Sequence, residues 1–403
     1  MSFSHERFLE AADFLGATLS RDAIWSGRRC NWFGESVSEL RGGVPVIEHR
    51  VCRPDLYSGT SGIAVFLAHL HAATGERIFR TTAEGAIRQA LSQLDDFAAG
   101  KRIGFYTGLT GVAYALLELA ETCNIQKFTA MALLILEEIG RDEVDQNEVD
   151  VLSGSAGVIS PLLKIYRQQP RDFLLQMAIK YGEHLLEIAK KGESGWTWPV
   201  EGLGECRAGF ARGISGIAWA LLELFQATGQ EKFRHAAEEG FQYERQRSLQ
   251  TYAVHAPAGT ADVSLTWSEG AAGIGLTRLR AFQILSHDIY LCEAQVAIQT
   301  ITRLIRSSLS QSEAVDFSPA QGFAGAAELL LEASRFFRDP DPRRTAETVG
   351  AWGIERYRKD ILPWPCGAPG GAESPSLMVG LAGIGYFYLR LHDSLKVPSL
   401  LLV

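Results

Sequence analysis

Arg212-Gly213-Ile214-Ser215-Gly216-Ile217-Ala218-Trp219-Ala220-Leu221-Leu222-Glu223-Leu224-Phe225 sets two glycines three residues apart at the head of an almost wholly apolar run. The same Gly-x-x-Gly opening recurs at Gly59/Gly62, Gly108/Gly111, Gly154/Gly157, Gly270/Gly273, Gly322/Gly325 and Gly380/Gly383, which makes seven units with this one. First glycines follow one another at 49, 46, 59, 57, 52 and 58 residues, a period long enough for two helices and their connections. One such pair means little. Seven in near-equal steps define an internal repeat. A glycine ahead of a helix lets the backbone turn sharply and approach its neighbours closely, and the second strips side-chain bulk from the first turn.

Within a unit the two helices differ in kind. Ile63-Ala64-Val65-Phe66-Leu67-Ala68 has no polar position, as expected of a helix buried on all sides. From Glu76 to Leu94, Phe79, Ala83, Ala86, Ile87, Ala90, Leu91 and Leu94 recur at helical spacing between Arg77, Arg80, Glu84, Arg88 and Gln89, which predicts an amphipathic helix with one wet face. Unit four repeats the order: the apolar helix ending near Phe225 precedes an amphipathic one over Glu231 to Arg247. An inner ring of buried helices covered by amphipathic outer ones predicts an all-α fold, an α/α toroid (barrel) of seven helical hairpins, with an open superhelix as its rival.

The regular array predicts a single domain over residues 1–403, with residues 1–50, including Trp25, Cys30, Asn31, Trp32 and Phe33, as an N-terminal cap and the repeats running from about 51 to 403. Two irregular stretches, Glu193 to Glu205 and Ala253 to Leu265, precede repeats four and five and are expected at a functional rim. A net charge of −8 leaves no basic footprint for nucleic acid. The charged N-terminus lacks a secretory core and no run is long enough to span a membrane, so a cytoplasmic location is expected. Cys30, Cys52, Cys123, Cys206, Cys292 and Cys366 are scattered without a Cys-x-x-Cys pair, which suits reduced thiols. An enclosed array has no free repeat ends, so a monomer is the default.

Asp55-Leu56-Tyr57-Ser58-Gly59-Thr60-Ser61-Gly62-Ile63-Ala64, the unit-four stretch, Gly270-Ala271-Ala272-Gly273-Ile274-Gly275-Leu276-Thr277-Arg278-Leu279-Arg280 and Ser376-Leu377-Met378-Val379-Gly380-Leu381-Ala382-Gly383-Ile384-Gly385-Tyr386 resemble the lanthionine synthetase C-like family, most of all the cyclase half of the class II lanthipeptide synthetases. The resemblance runs from about Cys30 to Val403. It implies the toroid, and an enzyme of ribosomal peptide maturation that adds a cysteine thiol across dehydroalanine or dehydrobutyrine. Such a Michael addition needs a thiolate and a proton donor for the enolate. Members of the family meet both needs with a zinc held by two cysteines and a histidine, helped by a histidine and an aspartate.

This sequence departs from that pattern at the metal. The first ligand position falls on Ser268 in Trp267-Ser268-Glu269-Gly270, and the other two fall on Ala320 and Gln321 ahead of Gly322. Serine, alanine and glutamine cannot supply the sulfur and nitrogen cage of zinc, so no cofactor is expected. Arg212 stands where the proton-transfer histidine belongs, and only Asp150, four residues before Gly154, keeps the family's catalytic identity. Asp55 occupies the same place before Gly59, so capping of a helix is the alternative role for Asp150. Glu269 and Arg212 precede the glycines of adjacent repeats, which predicts an ion pair, either structural or with Arg212 stabilising a thiolate or enolate while Glu269 takes the thiol proton. Trp267, Ser268 and Gln321 are the candidate substrate-binding positions, Trp267 alternatively a packing residue like Trp219, and His184 and His255 lie outside the motifs.

Three readings remain. One is a stand-alone, zinc-independent cyclase acting on a precursor peptide, leader plus dehydrated core, prepared by a separate dehydratase, since no dehydratase half is on this chain. The cyclase domains of the class III synthetases also lack these ligands, which makes zinc-free catalysis reasonable by analogy. The second is an inactive relative that holds the precursor peptide or the dehydratase. The third is a glycan-active enzyme on a similar α/α barrel, which needs two opposed carboxylates such as Asp150 and Glu269.

Overall fold

The computed structural model describes residues 5–39, 45–98, 102–145, 148–200, 204–205, 207–248, 264–311, 315–359, 362–367 and 373–403. Helix α1 (His5–Asp22) and four short strands, β1 (Ile24–Ser26), β2 (Arg29–Asn31), β3 (Phe33–Glu39) and β4 (Pro45–Val51), precede the first repeat. Then inner and outer helices alternate: α2 (Thr60–Thr74) and α3 (Arg77–Leu91), α4 (Leu109–Thr122) and α5 (Gln126–Ile139), α6 (Ser155–Gln168) and α7 (Asp172–Ile188). After two small hairpins, β5 (Lys190–Gly192) with β6 (Gly195–Thr197) and β7 (Pro199–Val200) with β8 (Gly204–Glu205), come α8 (Ile214–Thr228) and α9 (Glu231–Ser248). The series closes with α10 (Ala271–Leu285) and α11 (Asp288–Gln311), α12 (Phe323–Phe337) and α13 (Pro340–Gly353), and α14 (Leu381–His392). Each of the seven glycine pairs heads an inner helix. Every residue from Thr60 to Leu70 of α2 and from Ile214 to Leu224 of α8 is buried, whereas α3 buries one stripe.

The glycine pairs are explained by one loop used seven times. In each repeat the N–H of the first helical residue donates to the carbonyl seven residues earlier: Thr60 to Arg53, Leu109 to Arg102, Ser155 to Glu148, Ile214 to Arg207, Ala271 to Ser264, Phe323 to Asp316 and Leu381 to Ser374. This folds the loop back over the helix start and satisfies an otherwise orphaned amide. A Cβ on the first glycine would then strike the loop backbone, 2.5 Å from the Asp55 carbonyl oxygen at Gly59. A Cβ on the second would run into the carbonyl three residues before the first glycine, as at Gly216 against Phe210 and Gly273 against Trp267.

By its contacts the chain divides into two compact units, one of Met1–Phe97, Gly111–Leu134 and Thr302–Leu401 and one of Ala98–Thr110, Ile135–Ile301 and Leu402–Val403. In the second unit the pre-glycine loops are laced in series, each repeat donating to the next: Tyr106 N–H to the Leu152 carbonyl at 3.0 Å, Val151 to Ala211 at 3.0 Å and Ala211 to Ser268 at 2.9 Å. In the first unit Ala320 donates to Met378 at 2.9 Å, and Met378 to Tyr57 at 2.9 Å, so repeat seven is bonded to repeat one.

In the N-terminal segment, residues 1–50, expected as a cap, α1 packs along α14, in the place that an outer helix takes beside the inner helix in the other repeats. Its stripe of Phe8, Ala11, Ala12, Leu15 and Leu19 is buried, Phe8 stacks on Tyr388 of α14 at 6.3 Å, and His5 Nδ1 lies 3.1 Å from the His392 carbonyl. The stretch from Glu193 is not irregular as expected but holds β6 to β8, and Trp198 beside them is fully buried, its indole N–H donating to Leu185. Most of the stretch from Ala253 to Leu265, with His255, lies outside the described residues, as does Cys206. Cys30, Cys52, Cys123, Cys292 and Cys366 are free thiols. Among the described residues no helix is long and apolar enough to cross a membrane.

One regularity emerges only with the helices in place. Ten residues after each first glycine the inner helix carries an ionisable side chain, His69, Glu118, Lys164, Glu223, Arg280, Glu332 and Arg390, basic and acidic in alternation. Neighbouring repeats pair there: His69 with Glu118 at 2.8 Å, Arg280 with Glu223 at 2.5 Å, and Arg390 with Glu332 at 2.7 Å. Charges at that depth are tolerated only when paired and bonded.

Candidate functional site

Asp150, Arg212, Trp267, Ser268 and Glu269 all lie on the laced pre-glycine loops of the second unit. Asp150 is buried, 4% exposed, and its Oδ1 accepts from the Ser153 N–H at 2.8 Å and the Ser153 hydroxyl at 3.1 Å. The N-cap of α6 is Gly154, with no side-chain cap, so Asp150 braces the loop and does not cap the helix. Asp55 does the same for the first repeat, its Oδ1 accepting from Ser58 N–H at 2.8 Å and Ser58 Oγ at 3.3 Å. The Asp-x-x-Ser-Gly bracket therefore braces the loop in both places.

What separates them is the basic partner. Arg212, on the loop before α8, places its Nε 3.5 Å from the second oxygen of Asp150 while half of its side chain stays exposed. Asp55 is met by Arg53 of its own loop at 3.8 Å. Arg212 was expected to pair with Glu269; among the described residues an ion pair runs from it to Asp150. Burial pushes the Asp150 carboxyl above the ordinary 3.8; Ser153 and Arg212 pull it back and Glu148 pushes it further up. Glu148, itself buried, accepts from the Ser153 hydroxyl at 2.7 Å.

Glu269 is exposed at the head of α10, its backbone N–H 3.3 Å from the Thr266 hydroxyl. Gly209, at φ +119°, brings the Arg212 loop against it, since a Cβ there would lie 2.7 Å from Glu269 Cα. Outer helix α9 holds this turn: Glu244 accepts from the Gly209 N–H at 2.9 Å and the Ser215 hydroxyl at 2.5 Å, and Arg278 donates to Glu244 at 2.5 Å. Ser268 is buried and its carbonyl ties the two loops by accepting from Phe210 and Ala211. Trp267 has no exposed surface; it packs on Tyr106 at 5.4 Å and Phe210 at 5.1 Å, with Trp219 on the other side of Phe210 at 5.1 Å. The structure thus assigns Trp267 to packing. Gln321 belongs to the first unit, exposed, with its N–H 3.4 Å from Ser318 Oγ, and Ala320 beside it is buried.

The donor set does not fit the zinc of the resembling family. Ser268 offers a hydroxyl, Ala320 nothing and Gln321 an amide. Among the described residues no three His, Cys, Asp or Glu side chains gather where they could hold a metal ion. His184 lies outside the pre-glycine loops: Ser155 at the head of α6 is 2.9 Å from its Nδ1 and burial lowers its pKa. Sequence reading missed Glu148, Ser153 and Glu244, because their roles depend on what faces them.

The raised carboxyls give a testable sign. For Asp55, burial raises the folded-state pKa above 3.8 despite Ser58 and Arg53. The native state then binds the proton more tightly than the unfolded chain, so stability contributed by the protonated form is present below about pH 3.8 and lost as pH rises through the folded value. Asp55→Asn, which keeps the acceptor for Ser58, is expected to raise Tm at pH 7, with the gain shrinking towards pH 4. Equal Tm differences at both pH values would count against the burial argument.

The sequence model of the lanthionine synthetase C-like protein family matches residues 50–402. Glutathione S-transferase LANCL1 of Danio rerio is 23% identical over 93% of this chain and 93% of its own length. Among solved structures, nisin cyclase superposes with a TM-score of 0.65 at 17% identity, covering 86% of this chain and 90% of that one, which supports the α/α toroid class.

Proposed function

This chain belongs to the lanthionine synthetase C-like family, and from that premise we propose that it adds a thiol to a dehydroalanine or dehydrobutyrine residue of a peptide without zinc. The observation that carries the reading is the Arg212–Asp150 pair, a half-exposed guanidinium set against a buried carboxyl whose pKa is raised, at adjacent inner-helix heads. Guanidinium and helix N-termini together favour a thiolate. Glu269, exposed on the neighbouring loop, takes the thiol proton. The sulfur–carbon bond forms at the β-carbon, the π pair moves onto the carbonyl as an enolate, and Asp150 delivers a proton to the α-carbon. Solvent returns a proton to Asp150 and removes one from Glu269, so the peptide gains only the thiol. The relative named as a glutathione S-transferase supports a thiol as the nucleophile. The reading leaves dehydration of a precursor peptide to a separate dehydratase.

A second reading, a peptide-holding relative without chemistry, is favoured by the burial of Ser268 and Trp267. Thiol alkylation of a dehydrated precursor peptide, after chelation and elemental analysis of the protein, separates the two. Under the first, free thiols disappear faster with metal-free protein than in buffer, and Arg212→Leu slows this about 100-fold with peptide binding retained. Asp150→Asn slows it comparably without lowering Tm. Thiol loss at the buffer rate, with the peptide still bound, selects the second.

A further inference from the structure

After α14 the chain turns back. Asp393 Oδ1 accepts from the N–H groups of Leu395 and Lys396 at 3.1 and 3.2 Å, and both of these residues are exposed. The following stretch, without helix or strand, retraces α14 towards its head. Arg390 Nη1 donates to the Ser394 carbonyl at 2.9 Å and the Val397 carbonyl at 2.7 Å, and one turn further up the Tyr386 hydroxyl donates to the Pro398 carbonyl at 2.9 Å. Leu400 and Leu401 end the run, each 5% exposed, beside a residual cavity of about 30 Å³ lined by Pro319, Ala324, Leu377, Met378, Gly383 and Phe387.

Two features of this packing point the same way. The Val397 N–H donates to the Asp393 carbonyl at 3.0 Å and closes a turn over 394–396, while the Ser394, Val397 and Pro398 carbonyls accept from inner-helix side chains, a mode indifferent to sequence, and specificity falls to apolar side chains in a cleft. The leucines lie at the glycine-pair ends of repeats six and seven, next to Pro319, which directly precedes Ala320 and Gln321. We propose that the side of α12 and α14 against which residues 394–401 lie is a groove for an apolar peptide segment, that residues 394–401 are a strap filling it, and that the peptide on which the protein acts displaces the strap. This rests on the reading above only in taking that substrate to be a peptide.

The test uses the whole 403-residue chain and a labelled peptide of the strap's own sequence, Leu395 to Val403. Leu400→Ala/Leu401→Ala is expected to bind the peptide at least 10-fold more tightly than the wild type, because the internal competitor is weakened. On the unsubstituted chain, excess peptide should speed amide exchange of residues 397–401 at least 10-fold and leave the α2 amides unchanged. Equal affinity of the two chains, no binding by a variant that melts cooperatively, unchanged strap exchange, or collapse of the variant into an unfolded state would each overturn the proposal, the last by making the segment core. Ring-closure assays do not enter: peptide binding without thiol consumption sinks only the catalytic reading, and thiol consumption with no strap displacement sinks only this one.

Discussion

Arg278→Met is expected to destabilise the protein by about 3–5 kcal/mol, since breaking a buried ion pair strands its partners. Arg278 is 2% exposed. Its Nη2 donates to Glu244 at 2.5 Å and its Nε to Glu293 at 2.6 Å, Nη1 reaches the Ser215 hydroxyl at 3.1 Å, and its guanidinium lies 4.1 Å over the Phe241 ring. Methionine fills much of the volume and supplies none of the donors, leaving Glu244 charged in a site that excludes water. Glu244 also holds the Gly209 amide, so the Arg212 loop should loosen and activity should fall with stability. Arg278→Met/Glu244→Gln should recover part of the loss, because the stranded charge is gone. Urea unfolding of the three proteins decides it; a loss under about 1 kcal/mol for the single variant would show that water or relaxation replaces the network.

Gly216→Ala is expected to cost about 3 kcal/mol, at the upper end of overpacking penalties. The added methyl would meet the Phe210 carbonyl and, at 2.6 Å, Val151 Cγ2. The first obstacle is backbone, fixed by the Phe210 N–H bond to the Ser268 carbonyl at 3.0 Å, so no rotamer change clears it. A neighbouring comparison controls for the residue type. Gly229, the left-handed C-cap of α8 at φ 67°, faces open space, and Gly229→Ala should cost only the about 1 kcal/mol of strain for a Cβ at positive φ. If both substitutions lower Tm equally, the close approach of loop and helix is not what the second glycine serves.

How far the sequence could be read follows from the range of the forces involved. The bracket Asp-x-x-Ser-Gly appears twice, before Gly59 and Gly154, and that duplication already hinted that Asp150 had a structural duty. The charge ten residues past each first glycine was also written in the chain, visible once the repeats are aligned on their glycines. Both are local signals at fixed offsets. The Arg212 partner was of another kind: Asp150 and Glu269 both sit in loops next to it in the repeat order, and only the geometry of two loops some sixty residues apart chooses between them.

By itself the sequence determined the repeat number, the inner and outer helix types and the glycine-paired helix heads, because period, amphipathicity and residue chemistry act within a few turns of the chain. The tertiary structure alone decided that α1 packs against α14, that Arg212 reaches Asp150, that Trp267 packs inside and that residues 394–401 lie back along α14. Those outcomes turn on which surfaces meet after long loops have closed, and no local pattern carries that distance.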